Sequence, residues 1–273
     1  MSLSATRGPA TGAAMRPDPF IPTDGIHNFR DYGGWTGAGG RTVKTGLLYR
    51  SGQHVGASDA DLATFAALGI RTVIDLRGTS ERMRNPCRRI EGWDGDVLFF
   101  DGETSSSPPH MDVDASVTTA AFARDRMMAV YTRMPRNPAM RDMFARYLRV
   151  LAERDGASLV HCFAGKDRTG MAATLLLHIL GASPADQRAE FLLTNASPTF
   201  EVLAAQSVPG IEERLGRKLD AEAKRALLEV DIDYLDRFLE IAVEDFGSLD
   251  GWLEGAIGVD EELREALRDR YLA

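Results

Sequence analysis

His161-Cys162-Phe163-Ala164-Gly165-Lys166-Asp167-Arg168-Thr169-Gly170 joins a short apolar run, Ser158-Leu159-Val160, to a longer one that begins at Met171. The first run reads as a buried strand that ends at the cysteine. In the second, Met171, Leu175 and Ile179 recur at helical spacing, Leu176, Leu177 and Leu180 widen the stripe, and Gly181 supplies a C-cap. A strand, a tight loop and a helix N-terminus in that order bring backbone N–H groups and the helix dipole to bear on one centre. Such a place suits an anion, and phosphate above all.

Cys162 sits in that loop and Arg168 follows after five intervening residues. A thiolate at Cys162 is stabilised by the helix N-terminus and by Arg168 and Lys166, which makes a nucleophile of it. The planar fork of Arg168 can pair two phosphate oxygens and hold the charge that spreads over them in a transition state. Thr169 is placed to donate its hydroxyl to the cysteine sulfur and so improve it as a leaving group. Gly165 and Gly170 permit unusual dihedrals and close approach. A bare cysteine and arginine at this spacing would as readily be a buried thiol and a solvated helix-start residue. The threonine, the two glycines and the strand-to-helix context favour the chemical reading.

The stretch resembles the His-Cys-x5-Arg-Ser/Thr loop of cysteine-dependent phosphatases. The fuller string is similar to the bacterial tyrosine phosphatase family typified by mycobacterial protein-tyrosine phosphatase B, which also acts on phosphoinositides. Asn28-Phe29-Arg30-Asp31, Leu48-Tyr49-Arg50-Ser51, and Asp75-Leu76-Arg77 with Glu81 agree with it.

The resemblance implies an α/β cysteine-phosphatase fold, a central mainly parallel sheet flanked by helices, with a helical lid at about residues 198–230. It also implies hydrolysis of phosphate monoesters through a phosphocysteine, without metal or cofactor. Phosphotyrosine is the expected substrate, with phosphoserine, phosphothreonine or phosphoinositides besides. Phe163, Ala164, Gly165, Lys166, Asp167 and Arg168 are the expected phosphate binders. His161 is expected to fix the loop through a backbone hydrogen bond and to help stabilise the thiolate. Asn28 and Arg30 either brace the loop or form a structural turn.

Departure of an alkoxide or phenolate calls for a general acid, and no Trp-Pro-Asp loop is present. Asp167 is the first candidate by position, since the same place is acidic in the mycobacterial relative and in myotubularin lipid phosphatases. Asp75, at a neighbouring strand end, is the second, and Asp101 a distant third. Two other classes compete: a rhodanese-like sulfurtransferase, which also cradles an anion around a cysteine, and an inactive phosphate-binding module. A nucleotide-binding P-loop is excluded, because Lys166 is followed by Asp167 and Val160 stands where the first glycine is required.

With 273 residues, 44% of them hydrophobic, the chain can bury a full core. Residues 1–20, rich in Ala, Gly, Pro, Ser and Thr, read as disordered, and 21–273 as a single domain. No apolar run approaches the roughly 20 residues of a membrane helix, and no signal peptide is evident. A cytoplasmic location is expected, with export lacking a recognisable signal as the alternative. Two cysteines, Cys87 and Cys162, give no disulfide framework; a transient bond between them is the redox alternative.

Of the net charge of −8, residues 220–273 carry −10, from sixteen acids and six bases, which leaves the remainder at +2. No basic stripe with interleaved aromatics suggests nucleic acid. The partner expected is a phosphorylated protein or phosphoinositide, and the sequence does not fix the oligomeric state.

Ser58 with Asp61 forms a capping box ahead of Leu62, Phe65 and Leu68. Strands are expected at 47–50, 72–76 and 97–100, and helices at about 118–134 and 138–153. Tyr131 and Arg133 are within range of the site, although Met127, Met128 and Val130 read as core. Ser183-Pro184-Ala185-Asp186 starts a helix, and Pro209-Gly210 is expected to break the lid into short pieces.

Overall fold

The computed structural model describes residues 18–103, 120–216 and 218–273. In chain order its regular elements begin with β1 (Arg30–Asp31), β2 (Leu48–Ser51), α1 (Asp59–Ala67), β3 (Ile70–Asp75), α2 (Thr79–Arg84) and β4 (Asp96–Phe99). Then come α3 (Ala120–Arg133), α4 (Pro138–Glu153), β5 (Ala157–His161), α5 (Asp167–Ile179) and α6 (Pro184–Leu192). The C-terminal part holds α7 (Phe200–Leu215), α8 (Ala221–Leu228), α9 (Ile232–Phe246), α10 (Leu249–Trp252) and α11 (Glu261–Tyr271).

Among the described residues the sheet has the order β1-β2-β5-β3-β4, with β1 antiparallel to β2 and the other pairs parallel. This is the expected mainly parallel α/β sheet. The strand β5 is buried at every position, as a central parallel strand covered on both faces must be. β2 and β3 are parallel, as their strand-helix-strand pattern suggests, yet β5 lies between them. The register levels the strand ends, since Ser51 and Asp75 both pair with His161. The chain that leaves each of these three strands therefore emerges on one edge of the sheet, where open α/β sheets place their ligands.

Alternate residues feed opposite faces. Tyr49, Val73 and Leu159 pack with Leu62 and Phe65 of α1, whose N-terminus carries the expected Ser58–Asp61 capping box. Leu48, Ile74 and Val160 turn to the other face, into the main core built on α4, α5 and the C-terminal helices. The helix α5 runs through that core with twelve of its thirteen residues buried. A helix so enclosed cannot shift easily, and its first turn carries the residues of interest.

The sequence misplaces two features. Pro209 does not break the 198–230 region; α7 continues through it from Phe200 to Leu215. A proline inside a helix costs about 3 kcal/mol, here offset by burial of Leu203, Val208 and Ile211 against Leu227 and Leu228 in an apolar cluster separate from the main core. At the N-terminus, Phe20 bridges to Arg30, so order begins before residue 21. The rest of the expected disordered segment, to residue 17, and most of the polar loop after Asp101, from 104 onward, lie outside the described residues.

Candidate active site

The loop that leaves β5 turns its carbonyls outward. The Cys162 carbonyl accepts from His161 Nδ1 at 3.2 Å and the Phe163 carbonyl from the Gln53 amide at 2.9 Å. The Gly165 carbonyl accepts from Arg50 Nη2 at 2.6 Å and from Asn28 Nδ2 at 2.9 Å. A turn whose carbonyls are drawn outward presents its N–H groups to the inside, as an anion-binding nest does. Gly165 makes this possible: it has a φ of 68°, and a Cβ there would lie 2.4 Å from the Ser51 backbone. Only glycine, lacking a Cβ, tolerates both that conformation and that approach.

Beneath the loop lies a buried ion network. Glu190 of α6, wholly inaccessible, binds Arg30 at 2.9 Å and Arg50 at 2.6 Å. Arg30 also donates to the Asn28 side chain. Burial alone would raise the Glu190 carboxyl, but the two guanidiniums outweigh it and hold it below the usual carboxylate range. The sequence offers Asn28 and Arg30 as braces and misses Glu190. Its signal was available: Gln187, Glu190 and Phe191 form the buried side of α6, and a carboxylate on such a face needs a cationic partner.

Arg168 is held from the side. Its Nη1 and Nη2 donate to the two oxygens of Glu81 at 2.6 and 2.9 Å, and Nη1 also donates to the Leu76 carbonyl at 3.2 Å. Two parallel bonds fix the plane of the guanidinium. Glu81 is oriented in turn, since it accepts from the Gly78 amide at the start of α2.

Cys162, Phe163, Ala164, Lys166, Asp167 and Arg168 line one cavity of about 40 Å³. Its other walls come from Met127 of α3, from Ser207 and Ile211 of α7 and from Leu227 and Leu228 of α8. By the same measure one water takes about 10–15 Å³, so the cavity holds a few waters and no aryl phosphate. Lys166 is buried and points at the roof: Nζ donates to the Leu227 carbonyl at 2.7 Å and to that of Glu229 at 3.3 Å. Asp167 Oδ1 accepts from the Tyr131 hydroxyl at 2.7 Å and lies 3.5 Å from Lys166 Nζ.

Three expected site residues stand differently. Asp75 lies away from the Cys162 cavity and is gripped by Arg77, at 2.9 Å to Oδ1 and 2.7 Å to Oδ2. Burial opposes ionisation of Asp75, yet His161 and that two-point ion pair outweigh it and hold its carboxyl below the usual range. A carboxylate so bound carries no proton to give away. His161 bonds the loop backbone as expected, but burial pushes its pKa down to about 4, so it is neutral at pH 7 and offers the thiolate no formal charge. The buried hydroxyl of Thr169 makes no hydrogen bond in this structure, and the expected contact to the sulfur is not formed.

His54, Cys87 and His161 bring ligand-type atoms within 4.8 Å of one another. Arg77 Nη2 already donates to Cys87 Sγ at 3.1 Å and Arg89 Nη1 to His54 Nδ1 at 3.0 Å. Two guanidiniums thus stand where a metal ion would have to repel them. Both cysteines are free thiols.

A model of the tyrosine phosphatase family matches residues 21–273. The chain belongs to the tyrosine phosphatase family. It is thereby a phosphoric monoester hydrolase, and the sulfurtransferase and inactive-module alternatives are not favoured. A Cupriavidus necator protein whose name designates a tyrosine-protein phosphatase is 35% identical over 254 residues, covering 92% of this chain and 87% of its own length. The triple specificity protein phosphatase PtpB of Mycobacterium tuberculosis is 30% identical over 261 residues, 85% of this chain and 92% of the relative. A tyrosine-protein phosphatase of Nostoc commune is 33% identical over 133 residues, 47% of this chain and 42% of its own. Among the described residues no helix is long and apolar enough to cross a membrane.

Proposed function

We propose that this tyrosine phosphatase family enzyme works by two displacements at phosphorus, with Cys162 as nucleophile, Arg168 as clamp and Asp167 as the proton carrier. The thiolate attacks phosphorus as the ester P–O bond breaks. The electron pair leaves on the ester oxygen, which takes the Asp167 proton. Water then attacks the phosphocysteine, Asp167 accepts a proton from that water, and the S–P bond breaks to return the thiolate and release inorganic phosphate. The N–H groups of Phe163 to Asp167 would hold the equatorial oxygens, and Arg168, kept in plane by Glu81, would neutralise the charge that develops on them. His161 and Gly165 act on loop shape.

The observation that carries this reading is that Cys162, Asp167 and Arg168 share one cavity, from which Asp75 is absent. Asp75 is accordingly left out of the reaction. The segment α7–α8 is read as the lid, because Ser207, Ile211, Leu227 and Leu228 close that cavity and two backbone carbonyls hold Lys166; its opening admits substrate and its closure excludes water. The substrate class is phosphotyrosine, with phosphoserine, phosphothreonine and phosphoinositides besides. The triple specificity relative supports that breadth, as does the second positive charge of Lys166 beside the loop.

The test is Asp167→Asn. Phosphoryl transfer to Cys162 should slow by about 100-fold or more from alkyl and phenyl phosphates and stay near parental from dinitrophenyl phosphate, seen there as a burst before slow dephosphorylation, and the basic limb of the pH–rate profile should be lost. An Asp167→Asn enzyme with parental rates on every leaving group moves the acid elsewhere. A panel of phosphopeptides and phosphoinositides on the purified protein then measures breadth.

A further inference from the structure

If Asp167 donates a proton, something must decide which of its oxygens carries that proton and where it points. The two groups that reach the carboxyl both approach Oδ1: the Tyr131 hydroxyl at 2.7 Å and Lys166 Nζ at 3.5 Å. Among the described residues no side chain donates to Oδ2. Lys166 is committed to the roof, where it bonds two carbonyls of the α8 end, so its place changes whenever the lid moves. Tyr131 is anchored quite differently. It is wholly buried in α3, stacks on Tyr234 of α9 with ring centroids 5.3 Å apart and planes at 24°, and meets Phe191 of α6 edge-on at 6.4 Å. Tyr131, Tyr234 and Phe191 belong to the main core, whereas Ala123, two turns earlier in α3, packs into the α7–α8 cluster.

We infer that Tyr131 is a positioning residue for the general acid, its hydroxyl fixing Oδ1 so that Oδ2 bears the transferable proton and faces the ester oxygen. The inference rests on the proposed role of Asp167.

The chemistry comes from the hydrogen-bond inventory. Burial, reinforced by the Asp167 charge, pushes the Tyr131 phenol well above its ordinary pKa, so the oxygen keeps its hydrogen and donates it to Oδ1. With Tyr131 donating to Oδ1, the proton of a neutral Asp167 sits on Oδ2. As that proton passes to the departing oxygen, negative charge grows on both carboxyl oxygens, and the Tyr131 bond strengthens with it, as bonds to ionised acceptors do. The hydroxyl therefore favours the transition state over the ground state, which is the condition for raising kcat. Around the carboxyl stand Lys166 and Cys162 from the loop, Arg168 from α5, Tyr131 from α3 and Tyr234 from α9. Of these, only Tyr131 combines a donor at hydrogen-bond distance to the carboxyl with a ring seated in the main core.

The experiment compares Tyr131→Phe, Asp167→Asn and the double variant on two substrates, phenyl phosphate, a poor leaving group, and 2,4-dinitrophenyl phosphate, which departs unaided. The second substrate doubles as a readout of a folded, intact nucleophile. Tyr131→Phe is expected to lower the rate of phosphoryl transfer from phenyl phosphate about tenfold, to leave the burst rate with dinitrophenyl phosphate unchanged, and to add nothing in the Asp167→Asn background. Equal losses on both substrates would make the role of Tyr131 merely structural, and losses that multiply with those of Asp167→Asn would show that it acts elsewhere; either overturns the inference. If Asp167→Asn itself shows no leaving-group dependence, the assignment of the acid fails and takes the inference with it. An Asp167→Asn enzyme that behaves as an acid knockout beside a Tyr131→Phe enzyme of parental rates sinks only the inference.

Discussion

The floor and the roof of the cavity are built on opposite terms. Below the loop, Arg30, Arg50, Glu190 and Asn28 make charge-assisted bonds with no access to water, and they fasten the Gly165 carbonyl from two sides. Above it, α7 and α8 rest on the loop through apolar side chains and through one lysine bonded to two carbonyls. Breaking the floor strands buried charges, whereas breaking the roof returns carbonyls and an ammonium to water that can solvate them. The first is expensive and the second is not. A site that must hold a transition state rigidly and still exchange its contents needs both.

The largest effect is expected in the floor. Glu190→Gln keeps the shape of the side chain but leaves Arg30 and Arg50 facing a neutral amide. Stability should fall by about 3–5 kcal/mol, measured by urea unfolding, with tungstate affinity falling in parallel. A Glu190→Gln protein as stable as its parent would erase the contrast between floor and roof.

Acid should attack the floor next. Burial holds His161 at about 4 against 6.5 in a free histidine, so its native pKa is depressed. Above pH 6.5 neither state is protonated and the residue has no effect. Between about 6.5 and 4 the unfolded chain binds a proton that the native chain refuses, and stability is lost as pH falls, by about 3 kcal/mol at most for this one group. His27, also pushed down to about 4 by burial, adds to the loss. Unfolding free energies at pH 7 and pH 5 check the slope, and His161→Asn should flatten it.

A smaller change is expected at the rim. Glu81→Gln removes one charge from the two-point clamp on Arg168 but keeps a hydrogen-bonding partner, so kcat should fall about tenfold while the fold survives; steady-state kinetics with a thermal melt separates the two. The smallest belongs to the roof. Lys166→Met unlatches α8, and alkylation of Cys162 by the neutral reagent iodoacetamide should quicken by about fivefold at unchanged melting temperature. Slower alkylation would mean that Lys166 does not hold the roof shut.

Much of the layout was legible because the signals were local. The capping box at Ser58, the Ser183-Pro184 helix start and the strand-loop-helix around Cys162 each declare themselves within a few residues, and parallel strands then fix the edge on which Asp75, Ser51 and His161 meet. The missing parts depend on distance in the chain. Glu190 and Gly165 are linked through Arg50, a residue more than a hundred positions from either, and no period in the sequence announces such a triad. Asp75 looked like an acid because it shares the right edge, but its partner Arg77, two residues on, neutralises it. Lys166 read as a phosphate ligand and is found bonded to the roof. Pro209 read as a breaker, since local propensity argues for one, and tertiary packing overrode it.

All of this presupposes that the sulfur of Cys162 takes the phosphoryl group. The direct measurement is rapid acid quenching of the Asp167→Asn enzyme during turnover of dinitrophenyl phosphate, with peptide mass spectrometry of the quenched protein. The expected result is a peptide heavier by one phosphoryl group with the label on Cys162, absent from Cys162→Ser. Product release in a burst without any adduct at Cys162, or with the label on Cys87 or on an oxygen nucleophile, would contradict it.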